Sequence, residues 1–276
     1  MQISLFKIQG IYTMPIAQLK DVSLNYETFG DHAKPALIFS NSLGTNYRMW
    51  QAQYEVLQQY YFIICYDTRG HGASSTPKPP YALADLGQDV IDLLDYLKIE
   101  KAFFCGISMG GLTGQWLAIY YPEYFYRIMI CNTAAKIGQE KAWQDRAALV
   151  REQGLRPIAS TAASRWFTES FIQSNAGIVQ HLANDLEAGS TEGYANCCEA
   201  LAQADVRAKL KDIRIPVIIV AGTEDPITTI TDGEYMQQHI TDAKLVTIAA
   251  SHISNIEQPE QFNQFIQNIV KFNEAG

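Results

Sequence analysis

The stretch "FFCGISMGGLTGQW", Phe103 to Trp116, decides the fold. An apolar run ends at Cys105, small residues surround Ser108, and the helical pattern "GLTGQWLAIYY" starts directly afterwards. A G-x-S-x-G turn of this kind reverses the chain sharply between strand and helix, lifting the serine hydroxyl above the end of the strand. Glycines at 106 and 110 relieve the crowding of that reversal. Five residues with three fixed positions recur by chance, so the weight rests on the strand before and the helix after. Ser108 is either a nucleophile or one serine in a glycine-rich turn.

Working outward, "ALIFS" (Ala36 to Ser40), "YFIICY" (Tyr61 to Tyr66), Lys101 to Cys105 and "RIMIC" (Arg127 to Cys131) are nearly continuous apolar runs. Such runs suit strands buried on both faces of a parallel sheet, whereas Val22 to Thr28 alternates with period two. Leu83, Leu86, Val90, Leu93, Leu94 and Leu97 recur at helical spacing between them, which gives the alternation of an α/β protein. From about Thr133 to Leu210 no strand-like run appears. Trp143, Ala147 and Val150 mark one helical stripe there, and Tyr194, Cys198 and Leu201 another. Strand texture returns with "PVIIVAG" (Pro216 to Gly222) and "KLVTIA" (Lys244 to Ala249), and an amphipathic helix follows Pro259. The expected organisation is a core at 14–133 and 211–276 with a helical cap inserted at 134–210. Met14 reads as a natural domain start, so residues 1–13 are expected to be an extension or a product of start-codon assignment.

A serine nucleophile needs a base to take its proton and a carboxylate to orient that base and stabilise it when charged. In α/β-hydrolases these follow in the order Ser, Asp or Glu, His, each on a loop after a strand. "PVIIVAGTEDP" sets Asp225 just past one apolar run, and "KLVTIAASHISNIEQPE" sets His252 just past the next. Taken singly, Asp225 reads as a turn residue and His252 as a polar residue at a helix entry. Together with Ser108 they form the expected series. Glu224 competes for the acid role, but the second position of "EDP" matches better; after "RIMIC", where some relatives keep their acid, this chain has Asn132. Acyl transfer also needs two N–H donors for the oxyanion. Met109, directly after the nucleophile, is expected to supply one, and Leu43, in the loop after "ALIFS", the other.

The remaining composition narrows the alternatives. His71 in "DTRGHGASS" reads as a structural residue of a glycine-rich loop, and His32, His181 and His239 as surface residues. No histidine pair has metal-site spacing, HExxH is absent, and "GISMGG" lacks the GK[ST] ending of a phosphate loop, so no metal or other cofactor is implied. A net charge of −8 disfavours nucleic acid and anionic membrane as partners, and an anionic substrate would need a local basic group. The opening residues have the form of neither a signal peptide nor a membrane span, and no stretch approaches the roughly 20 apolar residues a spanning helix needs. Five cysteines without CxxC pairs, Cys65, Cys105, Cys131, Cys197 and Cys198, suit a reducing cytoplasm.

From Met14 nearly to its end the chain resembles the 3-oxoadipate enol-lactonases of the α/β-hydrolase superfamily. The segments that carry the resemblance are "FSNSLGTNYRMW", "DTRGHGASS", "CGISMGGLTGQWLA", "CNTAAKIG", "RWFT", "GYANCCEAL" and "VIIVAGTEDPITT". The elbow and "DTRGHG" are superfamily-wide. More specific are "NSLGT" in place of the usual His-Gly oxyanion loop, "GGLTGQWLA" with "NTAAKIG", and the two cap segments. The thirteen-residue leader departs from the pattern. The resemblance implies the α/β-hydrolase fold, a mostly parallel eight-stranded sheet with helices on both faces and an inserted cap. It also implies hydrolysis of 3-oxoadipate enol-lactone, a small anionic lactone, in bacterial breakdown of aromatic acids.

A carboxylate-bearing substrate calls for a cation near Ser108. Arg146, one helical turn from Trp143, and Arg165, which precedes Trp166, are the candidates in the cap. The competing reading leaves both arginines solvated on the cap's outer face, with the tryptophans packing it onto the core. Rival functions are a related carboxylesterase or lactonase, a cofactor-free perhydrolase, or a receptor of the same fold that senses a small lactone. Turnover separates the receptor from the enzymes. Oligomeric state is not encoded legibly.

Overall fold

A computed structural model describes residues 15–269, and the extension expected at residues 1–13 lies outside them. Each apolar run forms a strand. The strands are β1 (Ile16–Gln18), β2 (Ser23–Phe29), β3 (Ala36–Ser40), β4 (Phe62–Tyr66), β5 (Ala102–Ile107), β6 (Phe125–Cys131), β7 (Val217–Gly222) and β8 (Ala243–Ile248). They make one sheet in the order β1-β2-β4-β3-β5-β6-β7-β8. The pairs β1/β2 and β2/β4 are antiparallel and all others parallel.

Every residue of β3, β4, β5 and β7 is buried. Side chains alternate between the two faces of a strand, so both faces of the sheet centre must be covered, which is why these strands read as unbroken apolar runs. At the sheet's edge β8 is only partly buried, and its sequence tolerates Lys244 and Thr247.

The covering helices are α1 (Gln51–Leu57), α2 (Leu83–Tyr96), α3 (Met109–Tyr120), α10 (Ile230–His239), α11 (Ser254–Glu257) and α12 (Pro259–Gln267). Between β6 and β7 run α4 (Glu140–Gln153), α5 (Arg156–Ala159), α6 (Ala162–Trp166), α7 (Glu169–Ser174), α8 (Ala176–Glu187) and α9 (Thr191–Gln203), with no strand among them. α2 buries Leu83, Leu86, Val90, Leu93 and Leu94 on one face, and α12 buries Phe262 and Ile266, as their periodicities require. In the β6–β7 segment Ala147 and Val150 of α4 and Tyr194, Cys198 and Leu201 of α9 are buried, the two stripes that pack against each other.

Because β3 and β5 to β8 run in one direction, the loops that follow them emerge along one sheet edge. Asn41 to Gly44, Ser108, Asn132, Asp225 and His252 all lie just past a strand end on that edge.

Candidate active site

Ser108 sits between β5 and α3 with φ +56° and ψ −116°, a backbone state that costs a non-glycine residue about 1–3 kcal/mol. Its neighbours hold it there. The Ser108 N–H donates to Cys131 O at 2.9 Å, and the Thr133 hydroxyl donates to Ser108 O at 2.8 Å. Glycine is required on both sides of the turn: a Cβ at 106 would lie 2.3 Å from Gly110 O, and one at 110 would lie 2.2 Å from Ser40 O. The turn therefore packs α3 directly on the end of β3.

The Ser108 hydroxyl is 2.8 Å from His252 Nε2, and His252 Nδ1 is 2.8 Å from Asp225 Oδ2. A carboxylate only accepts, so the Nδ1–H donates to Asp225 and leaves Nε2 to accept the serine proton. All three side chains are buried. Asp225 Oδ2 also accepts from Asn132 Nδ2 at 3.0 Å and Thr228 Oγ1 at 2.8 Å, while Oδ1 accepts the N–H groups of Ile227 at 2.8 Å and Thr228 at 3.1 Å. Burial alone pushes this carboxyl up, but the bonds from His252, Asn132 and Ile227 outweigh it and hold Asp225 below the ordinary aspartate range. Glu224 is exposed, and Asn132 is a donor to Asp225.

Among the described residues neither Leu43 N–H nor Met109 N–H has a hydrogen-bond partner, whereas the amides beside them are used: Gly110 N–H donates to Asn41 O at 3.0 Å and Gly44 N–H to His71 Nε2 at 2.9 Å. The Asn41 side chain donates to Tyr66 O at 2.7 Å and accepts from Trp50 Nε1 at 2.9 Å, so the loop is fixed from below. His71 is buried as well, its Nδ1 3.2 Å from Arg69 O, and burial lowers its pKa to about 4. A neutral His71 is what accepting from Gly44 demands. His32, His181 and His239 are exposed.

A cavity of about 290 Å³ opens over Ser108 and His252, with Leu43 on the core side. Trp143, Arg146, Arg165 and Trp166 all line it, so the arginines face the cavity. Arg146 lies over the Trp143 ring at 4.9 Å, and Trp143 Nε1–H donates to Ile137 O at 2.5 Å. Arg165 donates to Ile158 O at 3.0 Å and Thr161 Oγ1 at 2.5 Å. Burial, then the charge of Arg146, lower the Arg165 pKa. Among the described residues neither guanidinium forms an ion pair with a carboxylate. Tyr194 and Leu201 complete the wall although their helical stripe reads as plain core; Leu186, Gln139 and Ile227 carry no local signal that marks them as lining residues.

The arrangement can deprotonate a serine, attack a carbonyl and stabilise the resulting oxyanion, next to cations that lack a carboxylate partner. Among the described residues no group of three or more His, Cys, Asp or Glu side chains could hold a metal ion, and no helix is long and apolar enough to cross a membrane.

Residues 35–259 match the family model described as alpha/beta hydrolase fold. The chain is 59% identical over 264 residues to 3-oxoadipate enol-lactonase 2 of Acinetobacter baylyi, covering 94% of this chain and 99% of that protein. It is 48% identical to 3-oxoadipate enol-lactonase 1 of the same organism, covering 95% and 98%. The crystal structure of the enol-lactonase from Burkholderia xenovorans LB400 superposes with a TM-score of 0.91 at 37% identity, covering 93% of this chain and all of that one. A mostly parallel eight-stranded sheet, a serine on a strand-to-helix elbow and these degrees of identity converge: the chain belongs to the α/β-hydrolase fold family and, within it, to the 3-oxoadipate enol-lactonases.

Proposed function

We propose that this protein hydrolyses 3-oxoadipate enol-lactone to 3-oxoadipate through a covalent acyl-enzyme on Ser108. The observation that carries the chemistry is the unbroken chain from Ser108 Oγ to His252 to Asp225, each link 2.8 Å, at the floor of the cavity. The named relatives supply the substrate.

Ser108 Oγ attacks the lactone carbonyl carbon while its proton passes to His252 Nε2. The negative charge on the carbonyl oxygen is met by the Leu43 and Met109 N–H groups, each such donor contributing roughly 2.7–4 kcal/mol to barrier lowering. Collapse breaks the ring C–O bond and His252 returns the proton to the leaving enol oxygen, which becomes the ketone on tautomerisation. The ring oxygen stays tethered, because acyl group and leaving group are one molecule. Water then gives a proton to His252 and attacks the ester, and Ser108 leaves with that proton. Asp225, held ionised by its donors, keeps His252 in the required tautomer and stabilises its charged form.

Residues 134–210 act in this reading as a cap that closes the site over a core at 14–133 and 211–276. Arg146 and Arg165 take the substrate's carboxylate, with Trp143 and Trp166 as walls. Buried free cysteines among the described residues suit a cytoplasmic setting. The test follows lactone disappearance with purified protein beside Ser108→Ala. Turnover by the parent and none by the variant is expected; equal rates would overturn the mechanism. Good turnover of simple esters with none of the lactone would overturn the substrate.

A further inference from the structure

Glu257 is a buried carboxylate that the mechanism above does not use, with relative exposure of 8%. It ends α11, one turn after His252, and its two oxygens face opposite parts of the molecule. Oε2 accepts the N–H of Ser251, the residue before His252, at 2.9 Å. Oε1 accepts from the Thr168 hydroxyl in a short hydrogen bond and from the Thr168 N–H at 3.3 Å. Thr168 in turn caps α7 by accepting from Phe171 N–H at 3.3 Å. On the other side of the histidine, Ile253 N–H donates to Trp166 O at 2.9 Å. The N–H groups of Ser251 and Ile253, the residues on either side of His252, are therefore tied to the same short stretch, Trp166 to Thr168, the first through Glu257 and the second directly.

That stretch begins in the wall of the site. Trp166 and Arg165 line the cavity, and Phe167 between the two tie points is buried and stacked on Phe171 with ring centroids 4.8 Å apart. Among the described residues no cation pairs with Glu257, and its partners are backbone and hydroxyl donors. A carboxylate bridging two backbone segments with charge-assisted bonds fixes their relative position more firmly than a neutral acceptor does.

We infer that Glu257 is a positioning residue that locks the His252 loop to the substrate-binding wall, so that base and wall are set as one unit. The inference rests on the reading of His252 as the base. A substrate seated against Arg165 and Trp166 is thereby seated at a fixed distance from Nε2, and binding energy from its remote end is expressed in kcat.

The test measures kcat, KM and thermal unfolding for Glu257→Gln, Thr168→Val and Thr168→Ser, with active sites titrated by an irreversible serine-directed phosphonate and His252→Ala as reference. Glu257→Gln puts an amide N–H against either the Ser251 N–H or the two Thr168 donors, and Thr168→Val removes the hydroxyl that meets Glu257 and caps α7. Each is expected to lower kcat per folded molecule at least tenfold with KM within about threefold of the parent, and Thr168→Ser, which keeps the hydroxyl, to recover most of kcat. The inference is overturned by kcat within twofold of the parent in Glu257→Gln and Thr168→Val, by a loss that tracks only the folded fraction, or by one carried by KM alone. An active His252→Ala would instead overturn the assignment of the base.

Discussion

The side-chain amide of Asn132 donates to Asp225 Oδ2 at 3.0 Å, on the oxygen that also accepts the His252 Nδ1 proton at 2.8 Å. Asn132 has φ +44°, in the left-handed region that asparagine tolerates better than most residues. Its amide also donates to Ser251 O at 3.0 Å, and its oxygen accepts from Ser254 Oγ at 2.5 Å. One side chain therefore meets Asp225 and both sides of the His252 loop.

Replacing Asn132 with Ala removes a bond to a charged group, typically about 1.5–3 kcal/mol, and leaves Ala at positive φ. Urea unfolding is expected to show a loss of at least that size, and kcat to fall about tenfold or more as His252 loses its orientation. A parent-like kcat in the folded variant would show that Thr228 and the backbone donors suffice to hold Asp225.

Protonation of His71 destabilises the fold as pH falls. Its folded-state pKa is about 4 against an ordinary 6.5, so the unfolded chain takes up a proton first. Stability attributable to His71 is fully present above pH 6.5 and is lost between there and about 4, to a total of about 3 kcal/mol. Asp89 titrates in an overlapping window with the opposite sign, because burial pushes its carboxyl up to about 6 despite the paired Arg69. Asp225, held low, loses its contribution only below about 3.8. The difference between parent and His71→Gln therefore isolates the histidine: urea midpoints at pH 7, 6 and 5 are expected to fall more steeply in the parent. Parallel curves would mean that His71 is protonated in the native state.

Chain-local signals made most of this legible. The buried strands declare themselves as apolar runs, and Ser108, Asp225 and His252 each follow such a run in a fixed order. β1 escaped because three residues cannot display a period, and α1 because it buries only Gln53 and Leu57. The ties of Asn132 to Asp225 and of Thr168 to Glu257 bridge positions 93 and 89 apart in the chain. Nothing at either position announces its partner. Arg146 and Arg165 were legible only as candidates, since a helix's polar face looks alike whether it meets water or a cavity.

At Gly193 in α9 the helix meets the glycine-rich loop backbone to backbone. A Cβ there would lie 2.0 Å from Gly70 O and 2.4 Å from Gly70 Cα, with no flexible side chain to yield. Gly193→Ala must push α9 off the loop, and with it Tyr194, which lines the cavity. Overpacking of this kind costs about 1–3 kcal/mol. Thermal unfolding is expected to occur at lower temperature and KM to rise, with kcat less affected because Ser108 and His252 sit on other elements. Unchanged stability would mean that the β6–β7 segment is free to shift on the core.

The guanidiniums of Arg146 and Arg165, without a carboxylate partner among the described residues, set the last expectation. Two cations lining one cavity without a carboxylate repel each other, which is one cause of the lowered Arg165 pKa, and a bound anion would relieve that repulsion. Replacement of both by Met keeps apolar bulk while removing charge and donors. With about 1.5–3 kcal/mol for each hydrogen bond to a charged group, the anionic lactone should bind more weakly by at least tenfold in either single variant, and by about a hundredfold or more in the double one. A neutral enol-lactone of similar size lacks the carboxylate, so its KM should stay within about threefold of the parent. Steady-state kinetics on the two lactones separates the outcomes. Equal losses on both would indicate collapse of the wall around Trp143 and Trp166, and an unchanged KM for the anionic lactone in the double variant would take both arginines out of substrate binding.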